Sequence, residues 1–227
     1  MDKLTIENLF FSGTHFGHLS KFCHKKMIPY IYGVTSKMSI IDLTKTVKCF
    51  NNAIFAITEV VSKGGVILFV GTKRCAKESV KKCAIDCGMP FVNHRWLGGL
   101  LTNFPVIKKS IGCLSELKKL GTTLNKKELT RAEFIVLNRR LKKLSLNFDG
   151  IINLSTIPDL LVVIDSTYEK LAIREARCLQ VPIVAIVDSD SDPSGINYVI
   201  PGNDDSISSV QFYLEIISNA ILTAKKL

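Results

Sequence analysis

The sequence predicts an α/β domain built on a parallel sheet, and three observations carry that reading. Short continuous apolar runs recur as "GVILFVG" (65–71), "DLLVVID" (159–165) and "VPIVAIVD" (181–188), the pattern of strands buried on both faces. Between and around them lie segments whose apolar residues repeat at alternating spacings of four and three, as on one face of a helix. Strands and helices alternate along the chain, which calls for crossover connections and hence parallel strands.

Taken in order, Leu43, Val47, Phe50, Ile54, Ile57 and Val61 form one helical face, with Asp42 as the N-cap and Gly64 as the stop. A strand follows at "GVILFVG", then a helix over 75–87 ended by Gly88, then a short strand at "MPFVN" (89–93). The stretch 105–148 breaks this rhythm. It places Ile107, Ile111 and Leu114, then Leu137, Leu141 and Leu144, at helical spacing, with lysine pairs and "NRR" on other faces and a polar break at "GTTLNKK" (121–127). An antiparallel helical hairpin standing off the sheet fits this pattern. Two crossover helices with solvated lysine faces fit it equally well. The strands at 159–165 and 181–188 are separated by a helix over about 168–179, and a last helix spans about 206–223. The expected organisation is one discontinuous globular domain plus a hairpin: an N-terminal arm and first half over 1–104, the hairpin over 105–148 and the second half over 149–227. Ligands of such sheets sit beyond the strand C-terminal ends.

With 227 residues and 47% hydrophobic content, the chain can bury a full core without staples. Its seven cysteines are odd in number and scattered, without paired CxxC spacing, and read as reduced thiols acting as small hydrophobes. Charged or polar residues interrupt every long apolar run, so no membrane span is expected. The opening "MDKLTIENLFF" carries acids and no arginine, unlike a transit peptide.

The net charge of +10 is unevenly placed. Residues 1–150 hold 25 Lys+Arg against 10 Asp+Glu, and residues 151–227 hold 5 against 10. A basic excess of that size is the footprint of a polyanion partner, most often nucleic acid. The only tryptophan lies in "HRWLGGLLTNF" (94–104), between an arginine and a glycine pair. Arg95 and Trp96 offer a charged fork and a stacking face to RNA, with the glycines allowing close approach. Alternatively Trp96 is a packed anchor and the glycines make a turn, with Pro105 opening the next helix.

Other motifs are less specific. "VGTKRCAK" (70–77) follows a strand and opens a helix, but lacks both the P-loop ending and a GxGxxG, so a nucleotide site is weakly supported and Lys73 and Arg74 suit an RNA phosphate at least as well. His15, His18, Cys23 and His24 supply four potential zinc ligands in ten residues, yet their spacing matches no zinc-finger pattern, and a metal there is disfavoured. The neighbouring Lys25 and Lys26 favour RNA. Asp188, Asp190 and Asp192, followed by Asp204 and Asp205, could hold magnesium in a phosphatase or nucleotide-binding enzyme. The simpler reading has Asn203 or Asp204 capping the final helix.

The runs "THFGH", "IIDLTKT", "FVGTK", "VNHRWLGGLLTN", "PDLLVVID", "AIREA", "VPIVAIVDSDSDP" and "VIPGNDD", in that order over nearly the whole chain, resemble the bacterial-type small-subunit ribosomal protein S-two family. The resemblance implies a flavodoxin/Rossmann-like three-layer domain with a protruding hairpin, a structural role and no catalysis. It implies binding to small-subunit ribosomal RNA and neighbouring ribosomal proteins, and recruitment of the S-one protein that captures mRNA. The setting it implies is the cytoplasmic ribosome of a bacterium, or the ribosome of an organelle that encodes it. No cofactor is expected apart from Mg2+ shared with the ribosomal RNA. The residues assigned to RNA are Lys25, Lys26, Lys73, Arg74, Arg95, Trp96, Asn103, Lys108, Lys109, Arg139 and Arg140. Two stretches depart from the family: Cys23-His24-Lys25-Lys26-Met27 stands where Trp-Asn-Pro-Lys-Met is usual, and Thr35-Ser36-Lys37-Met38-Ser39 stands where Arg-Asn-Gly before a "HIIDL" strand is usual.

Overall fold

The computed structural model describes residues 4–123 and 131–226. The chain opens with a short helix, α1 (Ile6–Phe11), whose N-cap Thr5 accepts a hydrogen bond from the Asn8 N–H. A small antiparallel sheet follows, made of β1 (Phe16–Leu19), β2 (Ile31–Thr35) and β3 (Met38–Ile41) in the order β1-β3-β2. Two 3-10 turns, Ser20–Phe22 and Lys25–Tyr30, link β1 to β2. Ser36 and Lys37 join β2 to β3, both at positive φ (50° and 68°), the backbone of a two-residue primed hairpin turn. The apolar pattern does not announce this module, because its strands are only four or five residues long, two of them contain glycine, and β2 buries none of its residues fully.

The helix α2 (Leu43–Ser62) begins where Asp42 accepts from the Thr44 N–H, as an N-cap should. It leads into β4 (Ile67–Val70), α3 (Lys77–Asp86) and the two-residue β5 (Phe91–Val92). Two long helices, α4 (Phe104–Thr123) and α5 (Arg131–Phe148), come next and pack on one another. Part of the polar break at 121–127 lies outside the described residues. The chain then alternates through β6 (Leu160–Ile164), α6 (Lys170–Cys178) and β7 (Ile183–Val187), adds β8 (Tyr198–Pro201), and finishes with α7 (Ile207–Ala224).

The main sheet runs β5-β4-β6-β7-β8, and every neighbouring pair is parallel. Alternation of side chains sorts each strand between two cores. Leu160, Val162 and Ile164 face one core with α2, α3 and α7, while Leu161 and Val163 face the other with α4 and α6. The result is a three-layer α/β domain of the flavodoxin/Rossmann-like kind. All five residues of both β6 and β7 are buried, and each branched side chain so placed contributes roughly 1.5–3 kcal/mol. Among the described residues no helix is long and apolar enough to cross a membrane.

Candidate functional site

Charged side chains collect beyond the C-terminal ends of the strands. Lys73 follows β4, and its Nζ lies 2.9 Å from Asp165 after β6, 2.6 Å from Asp204 and 2.6 Å from Asp205 after β8. Burial alone would lower the lysine pKa, but the hydrogen bonds with Asp204, Asp205 and Asp165 raise it well above the ordinary value and keep the ammonium charged. Asp204 is 1% exposed, and burial, reinforced by Asp165 and Asp188, pushes its carboxyl up to about 8 against the pull of Lys73. Asp165 also shapes the backbone. At φ +69°, it accepts from the Thr167 and Tyr168 N–H groups and turns the chain toward α6. Helix α6 therefore starts at Lys170, slightly later than its apolar spacing suggests.

An adjoining cluster holds the N-terminal arm. His18 Nδ1 is 2.9 Å from Asp188 Oδ2 and its Nε2 is 3.1 Å from Asp205 Oδ2. The hydrogen bond with Asp188 raises the imidazole pKa to about 9 despite partial burial, so the ring is a cation at neutral pH. Backbone contacts reinforce the seam. The His18 N–H donates to Ser189 Oγ and the His24 N–H to the Ser189 carbonyl, both at 2.8 Å. Asn203 donates to the Thr14 and Gly13 carbonyls, and Ser209 Oγ donates to the Ser12 carbonyl at 2.9 Å. Gly17 is needed here, because a Cβ would lie 2.7 Å from Ser189 Oγ and 3.0 Å from Asp188 Oδ1. The ligand atoms of His18, Asp188 and Asp205 lie within 4.8 Å of one another, a donor set that could take a divalent ion in place of the imidazole proton.

The other residues considered for zinc are dispersed. His15 is buried, stacks on Phe10 with ring centroids 4.5 Å apart, and has its pKa lowered by that burial. Cys23 Sγ points to the His24 carbonyl, and His24 Nδ1 accepts from the Lys26 N–H. Final-helix capping also falls differently from expectation. Asn203 Oδ1 accepts from the Asp205 and Ser206 N–H groups, while Asp204 faces Lys73 instead.

The "HRWLGGLLTN" loop is organised by one side chain of the "AIREA" run to which the sequence reading assigns no role. Glu175, on α6, accepts from Trp96 Nε1 (3.1 Å), from the N–H groups of Gly99 (2.8 Å), Leu101 (3.0 Å) and Thr102 (3.3 Å), and from Thr102 Oγ1 (3.3 Å). Burial would raise its pKa, but the bonds from Trp96 and the backbone outweigh that and lower it. Trp96 is 6% exposed and belongs to the core beneath α4 and α6, so the packed alternative describes its indole. Gly99, at φ +83°, makes the turn, while a Cβ on Gly98 would meet nothing within 4 Å. The available signal was a glutamate on the buried stripe of an amphipathic helix, beside Ala172 and Ala176. Such a carboxylate needs partners.

The remaining basic residues face outward. Lys25, Arg74, Arg95, Lys108, Lys109 and Arg139 are exposed, as is Asn103. Lys26 is exposed but paired with Asp192 at 3.4 Å, and Lys108 Nζ reaches the Ser155 carbonyl at 3.4 Å. The side chain of Arg140 lies outside the described residues. Lys73 is the one cation of the set enclosed by carboxylates among the described residues.

A family model described as "Ribosomal protein S2" matches residues 9–224. Among curated proteins, the small ribosomal subunit protein uS2 of Baumannia cicadellinicola is 44% identical over 221 residues, covering 97% of this chain and 95% of that protein. The uS2 of Idiomarina loihiensis is 44% identical over 225 residues, covering 99% and 93%. That of Buchnera aphidicola is 43% identical over 221 residues, covering 97% and 92%.

Proposed function

Because the chain belongs to the ribosomal protein S2 family, as a constituent of the small ribosomal subunit rather than an enzyme, we propose that it binds small-subunit ribosomal RNA through its exposed cations and supports recruitment of the mRNA-capturing S-one protein. The observation that carries the RNA reading is the disposition of charge. Half of the C-terminal acids, Asp165, Glu169, Glu175, Asp188 and Asp204, are buried against Lys73, His18, the Thr72 backbone and the Trp96 loop, whereas Lys25, Arg74, Arg95, Lys108, Lys109 and Arg139 remain at the surface. The field presented to a polyanion is therefore more positive than the net charge suggests. Protein contacts have a separate footing in the N-terminal arm. Phe10, Phe11, Phe22 and Tyr32 are exposed there, Phe11 to 85%. Aromatic surface of that kind suits a protein neighbour, and the S-one protein is the partner assigned to it.

Sedimentation of lysate through a magnesium-containing gradient tests the first part. Cosedimentation with the small subunit, lost at high salt, is expected; a position at the top of the gradient beside intact small subunits would overturn it. For the second, Phe11→Ser/Tyr32→Ser subunits should retain this protein but lose the S-one protein, and unchanged S-one content would remove the arm as its platform.

A further inference from the structure

The loops leaving β4 and β6 diverge toward opposite faces of the sheet, since α3 packs in one core and α6 in the other. Neighbouring strands whose connections part in this way open a crevice at their C-terminal ends, the usual ligand position in such folds. A pocket of about 370 Å³ lies there, within the range of small-ligand sites. Its lining combines three chemistries. His94 and Tyr168 offer exposed aromatic surface with the packed Trp96 behind them, Arg95 a cation, and Glu169 a carboxylate. Glu169 is 2% exposed and holds the Thr72 N–H at 2.6 Å, so it is a fixed acceptor at the base of the pocket. Tyr168 is 62% exposed and stands at the rim.

Resting on the RNA-binding reading above, we propose that this pocket receives one unpaired guanine of the ribosomal RNA, its ring against the aromatic rim, its phosphate toward Arg95 and its Watson–Crick edge toward Glu169. Unpaired bases are bound by proteins through stacking and edge hydrogen bonds. Guanine is selected because its N1–H and N2–H2 are adjacent donors suited to a carboxylate. Adenine and cytosine set an acceptor nitrogen beside their amino group, and uracil flanks its single N–H with two carbonyls, so each would bring a lone pair against Glu169.

Kethoxal, which modifies N1 and N2 of unpaired guanines, supplies the test on small subunits purified from cells carrying the wild-type chain, Glu169→Gln or Tyr168→Ala. One guanine protected in wild-type subunits should become about tenfold more reactive in both variants, the discrimination expected of one base-edge contact. Protein content and the rest of the footprint should not change. An identical guanine pattern in wild-type and variant subunits would overturn the pocket assignment and leave the ribosomal reading standing. Absence of the wild-type chain from the subunits would instead remove the ribosomal reading. Should Glu169→Gln fail to incorporate, Tyr168→Ala decides alone, because its side chain is mostly exposed.

Discussion

Glu175 shows what a single carboxylate can organise. It answers an indole, three backbone N–H groups and a hydroxyl of the Trp96 loop, so Glu175→Ala would leave several buried donors unpaired and should cost about 3 kcal/mol or more. The measurement is a urea melt followed through the lone tryptophan. A red-shifted native emission should accompany the loss. Because the folded pKa of Glu175 is depressed, its contribution is present above the ordinary glutamate range and is lost as pH falls through the depressed value. The stability gap between wild type and Glu175→Gln should accordingly narrow on acidification, and a gap independent of pH would mean that the charge is immaterial. Lys73 and Arg74 separate in the same way. Lys73→Met leaves Asp165 without its cation, while Asp204 stays protonated, and should cost about 3 kcal/mol. Arg74→Ala should leave stability alone and reduce the salt slope of RNA binding by about 0.7–0.9 if it meets one phosphate. Adjacent in sequence and alike in charge, the two are equivalent as letters. Only the acids brought in from more than ninety residues away distinguish them.

At the level of elements, legibility followed burial. The strands β4, β6 and β7 are covered on both faces and wrote themselves as unbroken apolar runs. Helix α2 was readable from its stripe and its Asp42 cap. Strand β8, only four residues and ending in Pro201, lacked such a run, as did the half-exposed strands of the N-terminal sheet. Their places are fixed by distant partners: Thr46 Oγ1 donates to the Pro201 carbonyl at 2.8 Å, and β1 is secured by Ser189. The hairpin between β2 and β3 supports a stabilising change. Ser36 and Lys37 occupy left-handed backbone positions that favour asparagine and glycine, and Ser36→Asn/Lys37→Gly should stabilise the arm by about 1 kcal/mol. A thermal melt gives the sign, and no increase in Tm would mean that the present residues fit the turn without strain.

Over the whole molecule, a strongly basic first part and an acidic last part are joined by ion pairs, and that division was visible in the residue counts alone. What the counts could not show was its inward direction. The RNA face as a consequence of folded geometry was thus only half readable, since exposed and enclosed lysines have the same letter. The seam between arm and acidic loops also has a bearing on synthesis. His18 and Asp188 are 170 positions apart, so a growing chain carries its aromatic arm for most of translation without the groups that fasten it. Stalled nascent chains released from the exit tunnel only as far as β7 should be cut by protease near residues 12–24, and chains exposed through α7 should resist. Fastening of the arm thus waits on the acidic loops: until residues 188–209 have folded, the aromatic surface it carries has no fixed position.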